Sequence, residues 1–355
     1  MKRREFIAAG IATGATFSQA RPALATQPLH VRPEEDRHEA TFMMWPVNRK
    51  VHPNASFLQH LQLTIANIAN AIADFEPVIM LAAASDHGKA RRMLARGVEL
   101  WDIPTEDLWA RDAGPLIAHQ GSKRVVSHIQ FNGWGAKQVH KRDSKIAREV
   151  AHILGFDMID SGLIGEAGGV EHDGHGLLMA HESSWVNRNR NGALGRAEIE
   201  RSLLNAYGAE RMIWAKGVKG EDITDYHIDS LARFTGPNRA LINLNDNPDW
   251  EDPFHVAAYE TYDVLKAADV QLEVIPEPTY RRVKGVEFVA SYANYYACNG
   301  ALIAAAFGDH ETDEIAQTAL ARHYPEREVV TLNVDALGEI GGGIHCATQQ
   351  LPEAI

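Results

Sequence analysis

The side chains of this sequence that could do chemistry are a thiol, an imidazole and several carboxylates, in separate segments. Cys346 follows three glycines near the C-terminus, and His227 stands two residues before Asp229. Asp112 and Glu166 each lie in a glycine-containing segment of their own. If His227 and Asp229 share an extended segment, their side chains point to the same side. An imidazole and a carboxylate would then face one cavity together.

Carboxylates beside a thiolate are typical of chemistry on a cation. Negative charge would oppose the oxyanion of acyl transfer. A guanidinium, in contrast, is planar, permanently charged and donates forked N–H bonds to paired carboxylates. A bound cation would also lower the pKa of the thiol from its free value of about 8.5. We therefore expect Cys346 to attack a guanidinium carbon, while His227 protonates the departing ammonia and then activates water.

Six short motifs, in a fixed order, resemble those of a known enzyme family. They are Trp-x-Arg-Asp-x-Gly-Pro (109–115), Phe-Asn-Gly-Trp-Gly (131–135), Asn-x-Asn-Arg-Asn (187–191), His-Ile-Asp (227–229), Ser-Tyr-x-Asn (291–294) and Ile-His-Cys-x-Thr-Gln-Gln (344–350). From Met44 to Gln350 the chain resembles the agmatine deiminase and bacterial-type peptidyl-arginine deiminase family of the guanidino-group-modifying superfamily. The second and third motifs are interpreted as structural turns.

The resemblance implies a catalytic set without a cofactor. Cys346 matches the family's nucleophile, His227 its general acid and base, and Glu166 a glutamate that assists at the same site. No metal or organic cofactor is implied. The alternative of a metal site around His172 and His175 lacks a recognisable ligand spacing.

The resemblance also implies a small cationic guanidino substrate. Asp112 and Asp229 match the carboxylates that bind the guanidinium, and Trp109 matches an aromatic pocket wall beside the cation. The expected reaction converts agmatine to N-carbamoylputrescine and ammonia through a thiouronium on Cys346. The alternatives are arginine in peptides, amidino transfer to an amine, and a non-catalytic envelope protein that binds cationic ligands. A substrate with a free carboxylate would require a basic clamp, for which the candidates are Arg188, Arg190, Lys137 and Arg281.

Several positions depart from the family's pattern. Ala167 replaces the first glycine of a Glu-Gly-Gly loop, Tyr226 replaces a glycine before His-Ile-Asp, and Gly343 replaces an asparagine before Ile-His-Cys. His52 lies where agmatine deiminases tend to carry a tryptophan, which bears on the pocket for the substrate's tail. His345 is expected to be structural and to point away from the site, if its segment is extended.

The motifs lie between segments that predict alternating helices and strands. Apolar residues three or four apart predict a helix over Leu58–Ile72 and further helices that begin near residues 142, 196, 255 and 312. A short apolar stretch follows each, and HGKARRMLARG adds a short helix to the first unit. Five such units predict an α/β protein, either doubly wound or arranged around a central axis. The resemblance implies the second, a five-bladed α/β-propeller of ββαβ units about a pseudo-fivefold axis (the pentein fold).

The composition narrows the class of protein. The chain has 355 residues, of which 45% are hydrophobic, and this suffices for a large core. Its net charge of -12 argues against binding to nucleic acid. Cys298 lies in an apolar run and is expected to be a buried free thiol, with a Cys298–Cys346 disulfide as the alternative.

The first 25 residues are expected to be a twin-arginine export signal. Arg3 and Arg4 precede a short apolar run, and Ala23-Leu24-Ala25 is a small-residue cleavage pattern. The run is too short to span a bilayer, and no later segment looks transmembrane, so no membrane insertion is expected. Residues 26–355 are then a single catalytic domain in a periplasmic or secreted protein.

Overall fold

The computed structural model describes residues 27–192, 194–285 and 288–355. The expected export signal, residues 1–25, lies outside the described residues. The strands are β1 (Leu29–His30), β2 (His38–Met44), β3 (Val78–Ala82), β4 (Val98–Asp102), β5 (Ile117–Gln120), β6 (Lys123–Gln130), β7 (Asp157–Ile164), β8 (Val170–His172), β9 (Leu177–His181), β10 (Arg211–Ala215), β11 (Ala232–Gly236), β12 (Arg239–Leu244), β13 (Gln271–Pro276), β14 (Tyr296–Cys298), β15 (Ala301–Ala305), β16 (Glu328–Leu332) and β17 (Gln349–Pro352). The helices are α1 (Ala55–Ala73), α2 (Ala84–Ala90), α3 (Ala110–Ala113), α4 (Gly133–Ala136), α5 (Ile146–Leu154), α6 (Glu182–Trp185), α7 (Arg188–Asn191), α8 (Arg196–Tyr207), α9 (Pro253–Ala267), α10 (His310–His323) and α11 (Asp335–Gly338). Short 3-10 helices cover Asp143–Lys145, Ala167–Gly169 and Ile228–Ser230.

The described strands form five small sheets, and the fold is mixed α/β. Their strand orders are β1-β5-β6-β7, β8-β9-β10, β11-β12-β13, β14-β15-β16 and β17-β2-β3-β4. In each sheet one strand pairs antiparallel with a middle strand, which pairs in turn with a parallel strand that follows a helix. In the sheet that contains β2, the antiparallel strand is β17 from the C-terminal end of the chain. Both ends of the described chain are thereby held in sheets.

The five predicted helix-then-strand units are confirmed. Helix α1 begins after Asn54, whose side chain accepts N–H bonds from Ser56 and Phe57, and it buries one face against the core. Helix α5 ends at Gly155, which adopts a left-handed φ of 67°. The short extra helix is α2, which overlaps only the first residues of HGKARRMLARG. Strands β5, β8, β11, β14 and β17 were not predicted, because they are three to five mostly buried residues long and show no alternation.

The core packs helices against the sheets and encloses the second cysteine. Cys298 is fully buried in the largest apolar cluster, and burial raises the pKa of its thiol. Both Cys298 and Cys346 are free thiols, so the alternative of a disulfide between them is wrong. Among the described helices, none has both the length and the apolar character that a membrane crossing requires.

The loops that follow the outermost parallel strands carry the motifs. Asp112 follows β4, Glu166 follows β7, and His227 follows β10. Asn294 and Cys346 follow β13 and β16, so each of the five sheets contributes one of these loops. Sites are commonly built on loops that a rigid scaffold positions.

Candidate active site

The predicted groups surround one buried point, and Gly168 marks its position. A Cβ atom on Gly168 would lie 2.8 Å from Asp112 Oδ1, 3.0 Å from His227 Nδ1 and 3.1 Å from Asp229 Oδ2. The thiol of Cys346 lies 3.5 Å from the same Asp229 oxygen. All of these side chains are buried. The structure thus brings an imidazole, two carboxylates and a thiol around one small volume.

The Cys346 thiol is oriented by Asn294. The amide Nδ2 of Asn294 donates to Sγ at 3.2 Å, and its Oδ1 accepts the Cys346 backbone N–H at 3.3 Å. Burial raises the pKa of Cys346 well above its usual range, and Asp229 and Asp112 raise it further. The protein's own charges therefore favour the neutral thiol. Sequence reasoning assigned no role to Asn294, although the Ser-Tyr-x-Asn motif was the signal that could have identified it.

Trp109 forms a wall of the site beside the nucleophile. A Cβ on Gly342 would lie 2.5 Å from the Trp109 ring and 3.5 Å from Cys346 Cβ, so both side chains flank this glycine. The backbone N–H of Arg111 donates to the Cys346 carbonyl at 3.1 Å. This hydrogen bond joins the segment that contains Trp109 to the loop that contains Cys346.

His227 presents one ring nitrogen to the site and uses the other for support. Its Nε2 lies 3.1 Å from Glu166 Oε2, while Nδ1 lies 3.8 Å from Asp112 Oδ1. Burial alone lowers the pKa of His227, but Asp112 and Glu166 outweigh it and raise the pKa to about 9. At neutral pH His227 is therefore an imidazolium with a proton on the nitrogen that faces Asp112. Arg190 Nε lies 2.9 and 3.0 Å from the two Glu166 oxygens and fixes that carboxylate.

Asp112 is held by a backbone N–H and an indole. Gly168 N–H donates to Oδ1 at 3.3 Å, and Trp134 Nε1 donates to Oδ2 at 2.9 Å. Burial raises the pKa of Asp112 to about 6, since the neighbouring carboxylates offset the lowering effect of His227. Trp134 has a left-handed φ of 54°, a conformation that costs energy for a bulky residue. The second motif, interpreted as a structural turn, thus supplies a side chain that orients Asp112.

The Asp229 carboxylate has one engaged oxygen and one free oxygen. His345 Nδ1 lies 2.7 Å from Oδ2, whereas Oδ1 is buried and has no hydrogen-bond partner among the residues that the structure describes. Burial raises the pKa of Asp229, but His345, His227 and Arg233 outweigh it and lower the pKa. A buried carboxylate oxygen without a donor is costly, and an N–H of a bound cation would satisfy it.

Two local expectations about this region are wrong. Residues 344–347 form a turn and are not extended, so His345 points toward Asp229 and not away from the site. His227 and Asp229 do not share an extended segment either, because Ile228–Ser230 is a 3-10 helix. Both side chains reach the site from the start of this 3-10 helix, His227 from the residue before it and Asp229 from within it.

The candidate cations for a carboxylate clamp are mostly engaged. Arg190 Nη1 lies 2.7 Å from Asp225, and Lys137 Nζ lies 2.8 Å from the same carboxylate. Arg281 donates to a backbone carbonyl at 3.2 Å. Arg188 is exposed. Of the four, only Arg188 has a side chain that makes no such contact in the described part of the chain.

The remaining histidines form no metal site in the described residues, and His52 contacts a carboxylate. In residues 27–192, 194–285 and 288–355 no group of three or more His, Cys, Asp or Glu side chains could hold a metal ion. His52 is buried, and its Nε2 lies 2.7 Å from Asp107 Oδ1. Its ring is therefore committed to a carboxylate.

Comparisons with known proteins place this site in a family. The family model for Porphyromonas-type peptidyl-arginine deiminase matches residues 30–352. A protein of Streptomyces coelicolor named "Putative agmatine deiminase" is 32% identical over 334 residues, which cover 90% of this chain and 98% of that protein.

Solved structures agree with this similarity. The agmatine deiminase of Enterococcus faecalis has a TM-score of 0.82 at 22% identity, over 94% of this chain and 99% of that chain. The "Putative Arginine Deiminase" of Porphyromonas gingivalis has a TM-score of 0.78 at 26% identity, over 92% and 99% of the two chains. The chain belongs to the Porphyromonas-type peptidyl-arginine deiminase family, a family of hydrolases that act on carbon–nitrogen bonds.

Proposed function

We propose that this protein is a guanidine deiminase that hydrolyses its substrate to a urea and ammonia with Cys346 as the nucleophile. The observation that carries this proposal is the convergence of Cys346, His227, Asp112 and Asp229 around Gly168. Oδ1 of Asp229 is buried without a hydrogen-bond donor among the described residues, and this supports a ligand that donates N–H bonds. A guanidinium combines such donors with the positive charge that several carboxylates select.

In the first half of the reaction, Asp112 and Asp229 accept N–H bonds from the guanidinium and hold its carbon beside Sγ. The bound charge offsets the carboxylates that raise the pKa of Cys346, so the thiol loses its proton to solvent on binding. The thiolate attacks the central carbon and forms a C–S bond. The His227 imidazolium gives its Nδ1 proton to one nitrogen, the C–N bond breaks, and ammonia leaves a thiouronium on Cys346.

In the second half, His227 acts on water, and Glu166 supports His227. The now neutral His227 takes a proton from water, and the resulting hydroxide attacks the thiouronium carbon. The C–S bond breaks with its electron pair on sulfur, and the remaining hydroxyl proton passes to ammonia. The products are therefore a urea and ammonium. Glu166 contacts Nε2 of His227 and stabilises the imidazolium each time it forms, so it acts through His227.

Agmatine is the substrate that we propose first. The similarity to agmatine deiminases supports it. The engagement of Arg190, Lys137 and Arg281 by other groups also supports a guanidine without a carboxylate, because a carboxylate would need a free cation. Arginine in a peptide is the second candidate, and the expected export signal favours it because agmatine metabolism is typical of the cytosol.

The test is ammonia release by purified residues 26–355 from agmatine, free arginine, and peptides with internal or C-terminal arginine. We expect release from agmatine without any acceptor amine, which would distinguish hydrolysis from amidino transfer. The Cys346→Ser variant is the control, since its hydroxyl is far less acidic than the thiol. Absence of ammonia from every guanidine, with a folded enzyme, would contradict the proposal.

We also propose that the five sheets are the blades of a propeller about a pseudo-fivefold axis, in one catalytic domain over residues 26–355. The shared strand order of the sheets and the contribution of one loop from each sheet support this arrangement.

Residues 1–25 are proposed to direct twin-arginine export. Replacement of Arg3 and Arg4 by lysine should retain the protein in the cytoplasm, as cell fractionation would measure, and unchanged export would contradict this proposal.

A further inference from the structure

His345 lies between two buried carboxylates, one on each ring nitrogen. Nδ1 is 2.7 Å from Asp229 Oδ2, and Nε2 is 3.0 Å from Glu34 Oε2. A third carboxylate, Glu171, lies 3.9 Å from Nε2. The ring is buried, so water does not compete for these contacts. A neutral imidazole has a single N–H, whereas two carboxylate partners require two N–H donors.

The carboxylate on the far side of His345 is itself rigidly held. Arg111 Nη2 lies 2.6 Å from Glu34, Arg233 Nη2 lies 3.0 Å from it, and the backbone N–H of Ala297 donates at 2.9 Å. Burial raises the pKa of Glu34, but Arg233, His345 and Arg111 outweigh it and keep that pKa well below its usual value. Glu34 is therefore an ionised and immobile acceptor.

A charged His345 gives this buried network one cation for each carboxylate, of which Glu171 has a pKa raised by burial. Arg233 Nε lies 2.7 Å from Glu171, so the guanidinium groups of Arg111 and Arg233 match the carboxylates of Glu34 and Glu171. The remaining carboxylate that contacts the network is Asp229. An unpaired charge in a buried position is costly, and an imidazolium at residue 345 removes that cost.

We propose that His345 is a positioning residue, a fixed imidazolium that keeps Asp229 ionised and holds its Oδ2 beside Cys346 and the volume next to Gly168. Oδ2 accepts from His345 and is also the oxygen that lies 3.5 Å from Cys346 Sγ, whereas Oδ1 is buried and has no hydrogen-bond partner among the described residues. His345 does not touch the reacting atoms, and it acts through Asp229 alone. This inference rests on the proposed guanidine deiminase function and adds a residue to which the sequence assigned only a structural role.

The His345→Gln variant tests this role, because glutamine keeps an N–H donor but removes the charge. Since His345 is a main cause of the lowered pKa of Asp229, the variant should hold Asp229 less firmly as a carboxylate. Its kcat/KM at pH 7 should fall about tenfold or more, as expected for the loss of a charge-assisted hydrogen bond. KM should rise more than kcat falls, because the missing charge weakens binding of the guanidinium. A reduced kcat with an unchanged KM would mean a merely structural role and would overturn the proposal.

A matched control is His323→Gln, since His323 also contacts a carboxylate through Nε2, at 2.9 Å from Glu273, but lies on α10 outside the site. Its kcat and KM should be those of the wild type. If His345→Gln does not fold, 15N NMR of the wild-type imidazoles keeps the proposal testable. We expect both ring nitrogens of His345 to carry protons at the pH of the activity assay, because each faces a carboxylate, and a neutral tautomer would refute the proposal. This NMR result is independent of turnover, so it is distinguishable from a wild type that releases no ammonia.

Discussion

Replacement of Gly168 by alanine should fill the volume in which the guanidinium binds. The methyl group would lie 2.8–3.1 Å from polar atoms of Asp112, His227 and Asp229, closer than ordinary contact. Gly168 does not have a left-handed backbone, so alanine is not strained there. Overpacking costs about 1–3 kcal/mol, and the loss of one hydrogen bond to a charged group costs about 1.5–3 kcal/mol. A combined loss of about 3–4 kcal/mol corresponds to a decrease in kcat/KM of about 10²- to 10³-fold.

The assay for this variant is steady-state ammonia release, with folding checked by circular dichroism and thermal unfolding. Gly88→Ala is the matched control, because a Cβ at Gly88 in α2 meets nothing within 4 Å. That variant should keep the kcat/KM of the wild type. A folded Gly168→Ala enzyme with unchanged kcat/KM would show that the guanidinium binds elsewhere, and the placement of the site would then be wrong.

Three further predictions concern protonation and the groups that support the site. The kcat/KM of the wild type should rise through about pH 6, because Asp112 becomes an ionised acceptor there. It should fall near pH 9, because His227 loses the proton that it donates. A flat pH profile would refute these assignments. Arg190→Gln removes the buried guanidinium that contacts Glu166 and Asp225, and it leaves these carboxylates with only His227 and Lys137 as charged partners. It should lower the free energy of unfolding by about 3–5 kcal/mol in urea denaturation, whereas Arg188→Gln, at an exposed position, should leave it unchanged. A cationic haloacetamidine should alkylate Cys346 much faster than a neutral haloacetamide at pH 7, as peptide mass spectrometry would measure. Only the cation offsets the carboxylates that keep the thiol protonated. Equal rates of alkylation would contradict this reasoning.

The reactive groups of the site could be predicted from the sequence, but most of their supports could not. Cys346 and His227 stand out because their residue types and short motifs carry chemistry without reference to the fold. Asn294 and Trp134 support the thiol and Asp112 across 52 and 22 residues of sequence, and no local pattern reports such contacts. His345 was misjudged because an extended backbone was assumed where the chain turns.

A similar limit applies to the fold. Helices of the repeated units could be predicted because one apolar face recurs every three or four residues. The short antiparallel strands could not, since most of their residues are buried and a strand that is buried on both faces does not alternate. These short strands belong to the sheets whose loops, after the last parallel strand of each sheet, carry the site residues.

The most direct test is to stop a single turnover with acid and to search the peptides for a covalent adduct. With agmatine as substrate, the peptide that contains Cys346 should gain the mass of agmatine less that of ammonia, and the adduct should decay as the urea product forms. The same peptide of Cys346→Ser should stay unmodified, with no ammonia released. Formation of ammonia and a urea by an enzyme in which Cys346 never carries an adduct, or by an equally active Cys346→Ser, would contradict nucleophilic catalysis by this thiol.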